Sequence, residues 1–321
     1  MRIIHDLHWS PEFPDGSVAT VGEFDGVHRG HRVVLLEMSR TAVVEGCPSV
    51  VVTFERYPSA TPETSNVRPQ LTDMEQKLEL LEASGVDFVV VLPTMQTAPA
   101  DVVGQRDDAI DWIVDEVFTR RLKAVAVVVG EEFHFSPRQR MTVDTFRKRR
   151  NATGFRIVQI PVESRQSSSG VIVSARAIRD SLEAGDVDAA ARMLGRAYEI
   201  RSTVTTGERR GRTIGFPTAN LPTPDTVQLP GDGVYACWYV RPDGTQFRAA
   251  VNIGKRPTFH SGQEKSLVEA HLLDFNGDLY REQARLRFIE RIRSETKFAN
   301  LESFKVQLNR DIAEVRRRLT A

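Results

Sequence analysis

At 321 residues the chain is long enough for two domains that each bury a core of their own. Basic and acidic residues both number 43, so there is no overall field that would attract nucleic acid. No stretch approaches the roughly 20 apolar residues of a membrane span, and the N-terminal residues lack the apolar core of a signal peptide. We therefore expect a cytoplasmic protein without a nucleic-acid or membrane partner, with Cys47 and Cys237 reduced.

Strand and helix signals alternate along the first half of the chain. The candidate strands are Val18–Val21, Ser49–Phe54, Phe88–Leu92, Ala124–Val129 and Arg156–Val162. Helical patterns separate some of them, as at Met74–Ala83 and Ala109–Arg121. Continuous Val/Ile runs indicate strands covered on both faces, so the pattern predicts a parallel sheet with helices on both sides. Ligands of such sheets bind beyond the carboxyl ends of the strands.

The segment after the first of these strands carries a candidate anion site. Gly22 and Gly26 bracket a turn, and His28 and His31 open an apolar-periodic stretch that predicts a helix. Two histidines three residues apart share a helix face. At a helix N-terminus they lie beside free N–H groups and the positive end of the dipole, which favours the phosphates of a nucleotide.

The same residues carry a family resemblance. GEFDGVHRGH (Gly22 to His31) resembles the G-x-F-D-G-x-H-x-G-H signature of the HxGH nucleotidyltransferases, in particular the adenylyltransferase half of the bacterial bifunctional riboflavin kinase/FAD synthetases. The resemblance implies that His28 and His31 are catalytic and stabilise the ATP phosphates while AMP passes to FMN. It also implies these nucleotide-binding residues: Gly22, Phe24, Asp25, Gly26, Ser174 and Arg179.

The pattern changes in the second half. Ser174–Leu194 predicts two short helices broken at Gly185-Asp186, and turn residues become frequent after Tyr198. Short alternating strands follow at Gly233–Val240, Phe247–Ile253, Leu267–Phe275 and Ala284–Arg291. This spacing is typical of a small antiparallel barrel or sandwich. The apolar periodicity of Leu301–Leu319 predicts a final amphipathic helix.

A second motif, GERRGRTIGFPTANL (Gly207 to Leu221), precedes those strands. Its glycines permit close backbone approach to a ligand and its arginines suit phosphate oxygens. The candidate phosphate-binding residues are Gly207, Gly211, Arg212 and Gly215. Thr218 and Asn220 are two apart in an extended segment, so they face the same way, and their oxygens suit Mg²⁺.

This motif and a later one resemble riboflavin kinases. GFPTAN resembles the P-T-A-N motif of that family, which implies that Thr218 and Asn220 bind Mg²⁺ and ATP phosphates. VEAHLLDFNGDLY (Val268 to Tyr280) is similar to the segment with the catalytic glutamate, so that role falls to Glu269. A carboxylate is a suitable acceptor for the proton of a ribityl hydroxyl that attacks a phosphoryl group.

The resemblance implies an α/β plus β fold. A Rossmann-like adenylyltransferase domain would span 1–186, a connecting segment 187–198, and an antiparallel β-barrel kinase domain with a terminal helix 199–321. The implied reactions convert riboflavin and ATP to FMN and ADP, and FMN and ATP to FAD and pyrophosphate, with Mg²⁺. Whether the chain forms a homo-oligomer stays open.

Several positions depart from the family pattern in the first half: Tyr57, Glu132, Ser136, Ala175 and Arg176. An alternative is therefore a riboflavin kinase whose N-terminal domain is impaired or structural. A regulator that binds flavin or nucleotide without catalysis is a second alternative, against which the set Thr218, Asn220 and Glu269 argues. The GFPTAN motif argues against another HxGH adenylyltransferase.

Overall fold

The computed structural model describes residues 1–5, 13–55, 68–92, 112–131, 154–161, 172–207, 210–256 and 265–320. Contacts divide the chain into two compact units. The first comprises Met1–Arg68 and Thr72–Ser174, and the second comprises Pro69–Leu71 and Ala175–Ala321. Within the described ranges, every helix is too short or too polar to serve as a membrane span.

The first unit is built on a parallel sheet, as predicted. Its strands are β1 (Arg2–Ile4), β2 (Ser17–Val21), β3 (Ser49–Phe54), β4 (Phe88–Leu92), β5 (Ala124–Gly130) and β6 (Arg156–Ile160). Counting described residues, the six lie in the order β1-β4-β3-β2-β5-β6. The chain leaves β2 towards β3 and later returns to β5 on its other side, so the topology reverses at the carboxyl end of β2. The three residues of β1 were too few to show a pattern.

Helices cover both faces of this sheet. They are α1 (Arg29–Glu45), α2 (Met74–Glu82) and α3 (Ile113–Arg121), the last with π-type hydrogen bonding. On one face the small side chain of Ala19 packs in a cluster with Val50 and Phe118. On the other, Val18 and Val51 pack with Met38 of α1. Burial on both faces explains why the strands appear in the sequence as unbroken Val runs.

The second unit begins with the two short helices predicted from the sequence, α4 (Ala175–Glu183) and α5 (Val187–Leu194). The four-residue α6 (Arg210–Thr213) follows strand β7. The strands are β7 (Tyr198–Thr203), β8 (Ala219–Asn220), β9 (Gly233–Val240), β10 (Gln246–Arg256), β11 (Lys265–Leu272) and β12 (Gln283–Arg293). Among described residues they form an antiparallel sheet in the order β7-β12-β9-β10-β11-β8. A bridge from Thr205 to Asn220 joins the two edges, so the sheet curls into a barrel.

The two faces of this barrel differ in what packs against them. The inner face is closed by large buried side chains such as Tyr235, Tyr239 and Phe288. The final helix, α7 (Leu301–Arg318), packs on the outer face, where Val315 contacts Ala236. The outer face of the barrel is therefore the surface on which a ligand could lie between sheet and helix.

Candidate functional sites

The turn after β2 is held in an uncommon backbone conformation. Phe24 (φ 50), Gly26 (φ 75) and Val27 (φ 37) all lie in the left-handed region. Such positions are costly for residues other than glycine and persist where the surroundings over-determine them. The turn is tied to the sheet, because the Gly22 N–H donates to the Val52 carbonyl at 3.1 Å. It projects from the carboxyl edge of β2, at the point where the topology reverses.

His28 and His31 form a stacked pair at the start of α1. Their ring centroids are 3.6 Å apart and their planes are inclined by 17°. His28 caps the helix, since its Nδ1 accepts the backbone N–H of His31 at 3.2 Å. With that nitrogen accepting, a neutral His28 ring carries its proton on Nε2, where it can be donated to an anion. A Cβ at Gly30 would lie 3.1 Å from both His28 Nδ1 and the Val173 carbonyl oxygen, so a larger residue would displace the pair.

A buried polar network supports this turn. Asp25, one of the predicted nucleotide-binding residues, is 1% exposed, and its Oδ1 accepts the Thr72 N–H at 3.1 Å. The Gly26 N–H in turn donates to the Thr72 hydroxyl at 3.0 Å. Lys77 of α2 is also buried. Burial lowers the pKa of the Lys77 ammonium, while the carboxylates of Asp25 and Glu23 oppose that shift. Sequence patterns missed Thr72 and Lys77, because a lysine in a helical pattern normally marks a solvated position.

The other predicted residues of this half have separate placements. Ser174 is the last residue of the first unit, and Arg179 belongs to the second, where its Nε donates to the Pro69 carbonyl at 2.7 Å. Ala175 opens α4, where the exposed Arg176 side chain reaches within 3.9 Å of Asp180 on the same helix. Tyr57, Glu132 and Ser136 lie outside the described residues.

The second unit contains a cavity of about 630 Å³ on the outer face of the barrel, beneath α7. Four predicted residues line it together: Gly211, Thr218, Asn220 and Glu269. The polar lining also includes Asn252, His271, Arg293, Glu295, Thr296 and Asp311. An apolar wall comes chiefly from the final helix and the loop before it: Phe298, Leu301, Phe304, Leu308 and Ile312. Their periodicity predicted an amphipathic helix, and the structure shows that part of its apolar face borders a cavity.

Strand register places the polar groups of this cavity in one row. Asn220 of β8 lies opposite Glu269 of β11, and Glu269 lies opposite Asn252 of β10. The row continues from Asn252 to Val234 of β9 and on to Arg293 of β12. Directly opposed residues project from the same face of a sheet. A carboxylate thus stands between two amide side chains, although the three lie far apart in sequence.

Two glycines make room for the side chains of Asn220 and Thr218. A Cβ on Gly207 would collide with the side-chain amide of Asn220. A Cβ on Gly211 would collide with the Phe216 carbonyl oxygen and lie 3.5 Å from the Thr218 hydroxyl. Glycine at these positions lets the backbone approach closely enough to leave both oxygen-bearing side chains at the cavity wall.

Gly215 and Arg212, also predicted to bind phosphate, are placed differently. Gly215 has a φ of 91°, and a Cβ added to it would meet no atom of the described residues within 4 Å. Arg212 lies in α6, and its side chain lies outside the described part of the chain.

His271 joins the two kinase-like motifs. It follows Glu269 by two residues on β11, so both project from the same face. Its Nδ1 lies 2.8 Å from the Pro217 carbonyl oxygen, and its ring packs edge-on against Phe216 at 5.8 Å. The imidazole therefore fixes the backbone immediately before Thr218. The sequence offered no signal for this contact, because its partners are about fifty residues apart.

The donor set at the cavity suits a hard cation bound together with phosphates. Thr218 supplies a hydroxyl oxygen, Asn220 an amide oxygen and Glu269 a carboxylate, all on one wall. In the described residues no cluster of three or more His, Cys, Asp or Glu side chains could hold a metal alone.

Comparison with known proteins gives each half of the chain a match. The family model for riboflavin kinase matches residues 194–319, and the family model for FAD synthetase matches residues 10–176. The bifunctional riboflavin kinase/FMN adenylyltransferase of Pseudomonas fluorescens is 35% identical over 98% of this chain and 97% of its own length. The protein of the same name from Escherichia coli K12 is 32% identical over 97% of this chain and 95% of its own length.

A solved structure resembles the whole chain. The crystal structure of a protein from Streptococcus pneumoniae, titled a macrolide-efflux protein, superposes with a TM-score of 0.82 at 27% identity and covers 98% of both chains. The likeness extends over both units. The matches in sequence and structure thus cover the chain nearly from end to end.

Proposed function

The chain belongs to the bifunctional riboflavin kinase/FMN adenylyltransferase family, and we propose how the residues of its two sites carry out the two reactions. The riboflavin kinase domain phosphorylates riboflavin to FMN with ATP, and the FAD synthetase domain transfers AMP from ATP to FMN, which yields FAD. The alternative of a kinase with an impaired N-terminal domain is not favoured, because both domains match.

The row Asn220–Glu269–Asn252 carries the proposal for the kinase site. Glu269 accepts the proton of the terminal ribityl hydroxyl as that oxygen bonds to the γ-phosphorus of ATP. The bond from the γ-phosphorus to the β,γ-bridging oxygen breaks, and ADP leaves. The Asn252 amide, which is both a donor and an acceptor, can orient the Glu269 carboxylate or the hydroxyl groups of the ribityl chain.

The cavity also accounts for the two halves of riboflavin. Its apolar wall, formed in part by Phe304, Leu308 and Ile312, suits the flat ring system. Its polar row suits the ribityl chain, whose end must reach Glu269. Thr218 and Asn220 would hold Mg²⁺ together with the ATP phosphates. The ion would neutralise negative charge that develops on the phosphate oxygens during the transfer.

In the first unit, His28 and His31 stabilise the triphosphate at the start of α1. A phosphate oxygen of FMN bonds to the α-phosphorus of ATP, and the bond to the α,β-bridging oxygen breaks to release pyrophosphate. The Nε2–H of His28 and the N–H groups of the first helical turn meet the charge that develops on the leaving group. The use of ATP supports the further proposal that the enzyme works in the cytoplasm.

Product analysis tests this proposal. The chain is incubated with ATP and Mg²⁺, once with riboflavin and once with FMN, and products are separated by chromatography. We expect FMN followed by FAD in the first incubation, and FAD with pyrophosphate in the second. FMN as the sole product of the first, with no FAD from the second, would reinstate the kinase-only alternative.

A further inference from the structure

An ion pair between a half-buried arginine and a buried aspartate lines the cavity beneath α7. The Arg293 guanidinium donates to both carboxylate oxygens of Asp311, with Nε–Oδ1 at 3.0 Å and Nη2–Oδ2 at 2.8 Å. Asp311 is 3% exposed, and its Oδ1 also accepts from the Gln307 amide at 2.8 Å. Both members of the pair line the cavity.

The pair connects three elements around this cavity: strand β12, the loop that follows it, and helix α7. A register shift at the end of β12 brings Arg293, rather than Ile292, opposite Val234 and so onto the cavity face. Arg293 also packs over the Phe298 ring at 5.7 Å, in the loop between β12 and α7. Asp311 belongs to α7 and lies on the cavity side of that helix with its neighbour Ile312.

Each of the three guanidinium nitrogens of Arg293 donates to a protein acceptor. Nε and Nη2 donate to Asp311, and Nη1 donates to the Ser294 carbonyl at 2.9 Å. The guanidinium is therefore engaged in fixing geometry. An ion pair that is largely withdrawn from water is seldom more stabilising than well-packed apolar residues of the same volume, but its forked bonds favour one relative placement of the partners.

We propose that the Arg293–Asp311 pair is a positioning element for riboflavin: it sets the spacing between α7 and the barrel, and thus the slot for the flavin ring. The proposal rests on the proposed kinase function. Because the pair joins β12 to α7, and β12 is separated from β8 with Asn220 by three strands of the described sheet, its removal affects riboflavin more than ATP.

Steady-state kinetics of the Asp311→Asn variant tests the proposal in the full-length chain. The amide keeps the shape of the carboxylate but removes its charge and one acceptor. We expect the KM for riboflavin to rise about tenfold while the KM for ATP stays within about twofold. FAD formation from FMN, in the other domain, should be unchanged.

Asp274→Asn is the matched control. Asp274 pairs with Arg316 of α7 through two bonds, at 2.6 and 2.7 Å, and so also ties the helix to the barrel. It is exposed, however, and is not among the described residues that line the cavity. We expect this variant to keep the riboflavin KM of the natural chain. An Asp311→Asn effect matched by Asp274→Asn would overturn the proposal.

Two further variants separate geometry from charge and stability. Arg293→Lys keeps the charge but loses the fork, so we expect a raised riboflavin KM; a natural value would overturn the proposal. The double variant Arg293→Met/Asp311→Leu removes both charges and should unfold no more readily than the natural chain, yet still bind riboflavin weakly. Natural riboflavin KM in the folded double variant would equally refute a positioning role.

FMN formation by the natural chain, measured first, tests the kinase function by itself. The differences in KM between variants then test the ion pair.

Discussion

The neighbours of Glu269 suit the proton transfer that we propose for its carboxylate. It stands on a strand between Asn220 and Asn252, two side chains that carry no charge at any pH. Their amide N–H groups can hold the carboxylate in one orientation without neutralising it. We therefore expect Glu269 to act as the proton acceptor while the cation and the nucleotide charge are handled at Thr218 and Asn220.

Replacing Glu269 by Gln should abolish proton acceptance, because the amide has nearly the same shape as the carboxylate but is not a base. We expect FMN formation to fall by a factor of about 10² to 10⁴, the usual range for the loss of a general base, with ATP binding retained. The measurement is single-turnover FMN formation beside calorimetric titration with ATP. FMN formation within a few-fold of the natural rate would remove Glu269 from the mechanism.

Tyr235 should make the barrel sensitive to alkali. Its hydroxyl donates to the Gly231 carbonyl inside the barrel, and burial raises its pKa to about 12. An unfolded tyrosine ionises near pH 10, so the folded state resists ionisation that the unfolded state gains. The free energy of unfolding should therefore fall as pH rises from about 10 to about 12.

Tyr235→Phe provides the comparison for that prediction. The variant loses the hydroxyl, so its stability should decline less steeply over the same pH range in denaturant titrations. Tyr239, whose pKa is also raised by burial, remains in both proteins and contributes equally. Parallel pH profiles for the two proteins would contradict the assignment.

At the scale of elements, the kinase site depends on a close fit between one irregular segment and one sheet edge. The short strand β8 pairs with β11, and its residue Asn220 also forms a bridge to Thr205. The segment that follows Thr205 must therefore pass directly over Asn220. Gly207 makes that passage possible, because its Cα lies against the Asn220 amide. His271 holds the same segment from the other side through the Pro217 carbonyl.

Gly207→Ala should consequently disturb Asn220 and little else. The added methyl must displace the amide, so we expect the KM for ATP in FMN formation to rise at least about tenfold. Gly244→Ala is the control: it strains a hairpin turn (φ 85) but projects into open space among the described residues. If both variants lose stability but neither changes the KM for ATP, the proposed role of Asn220 is wrong.

For the molecule as a whole, the two candidate phosphate sites differ in construction. One combines imidazoles with a helix start at the carboxyl edge of a parallel sheet. The other combines hydroxyl, amide and carboxylate oxygens on the outer face of a barrel. The two histidines belong to the first unit and the cavity residues to the second, whereas Arg179, predicted for the first site, belongs to the second unit.

Because the sites draw on different residues, the activities should be separable. His28→Ala should reduce FAD formation at least about 100-fold, since it removes both a phosphate donor and the cap of α1. FMN formation by the same preparation should be nearly unchanged and serves as an internal control. Simultaneous loss of both activities would mean that the domains are not independent.

Much of this architecture is readable along the chain. Strands covered on both faces are apolar at most positions, so β2 to β5 stand out as Val-rich runs even though buried Ser and Thr residues interrupt β2 and β3. The break between α4 and α5 was likewise predicted at the Gly185-Asp186 pair. Strands β1 and β8, three and two residues long, were missed because such short segments cannot display a period. The six-residue strand β7 was also not predicted.

The candidate sites divide in the same way. Two short motifs could be recognised in the sequence because their residues lie within about ten positions of one another. They contain His28 and His31 in the first half, and Thr218 and Asn220 in the second. Asn252, His271 and the Arg293–Asp311 pair acquire their importance from partners on other strands or helices. No sequence window contains both members of such a contact.

Periodicity and turn chemistry act over a few residues, so the order of the two domains, their sheet types and two candidate phosphate motifs could be predicted along the chain. Which side chains meet became apparent only from the fold: register aligned Asn220, Glu269 and Asn252, and a register shift placed Arg293 on the face where it meets Asp311. Those juxtapositions depend on how distant strands pair, and pairing is settled by packing of the whole unit rather than by any local preference.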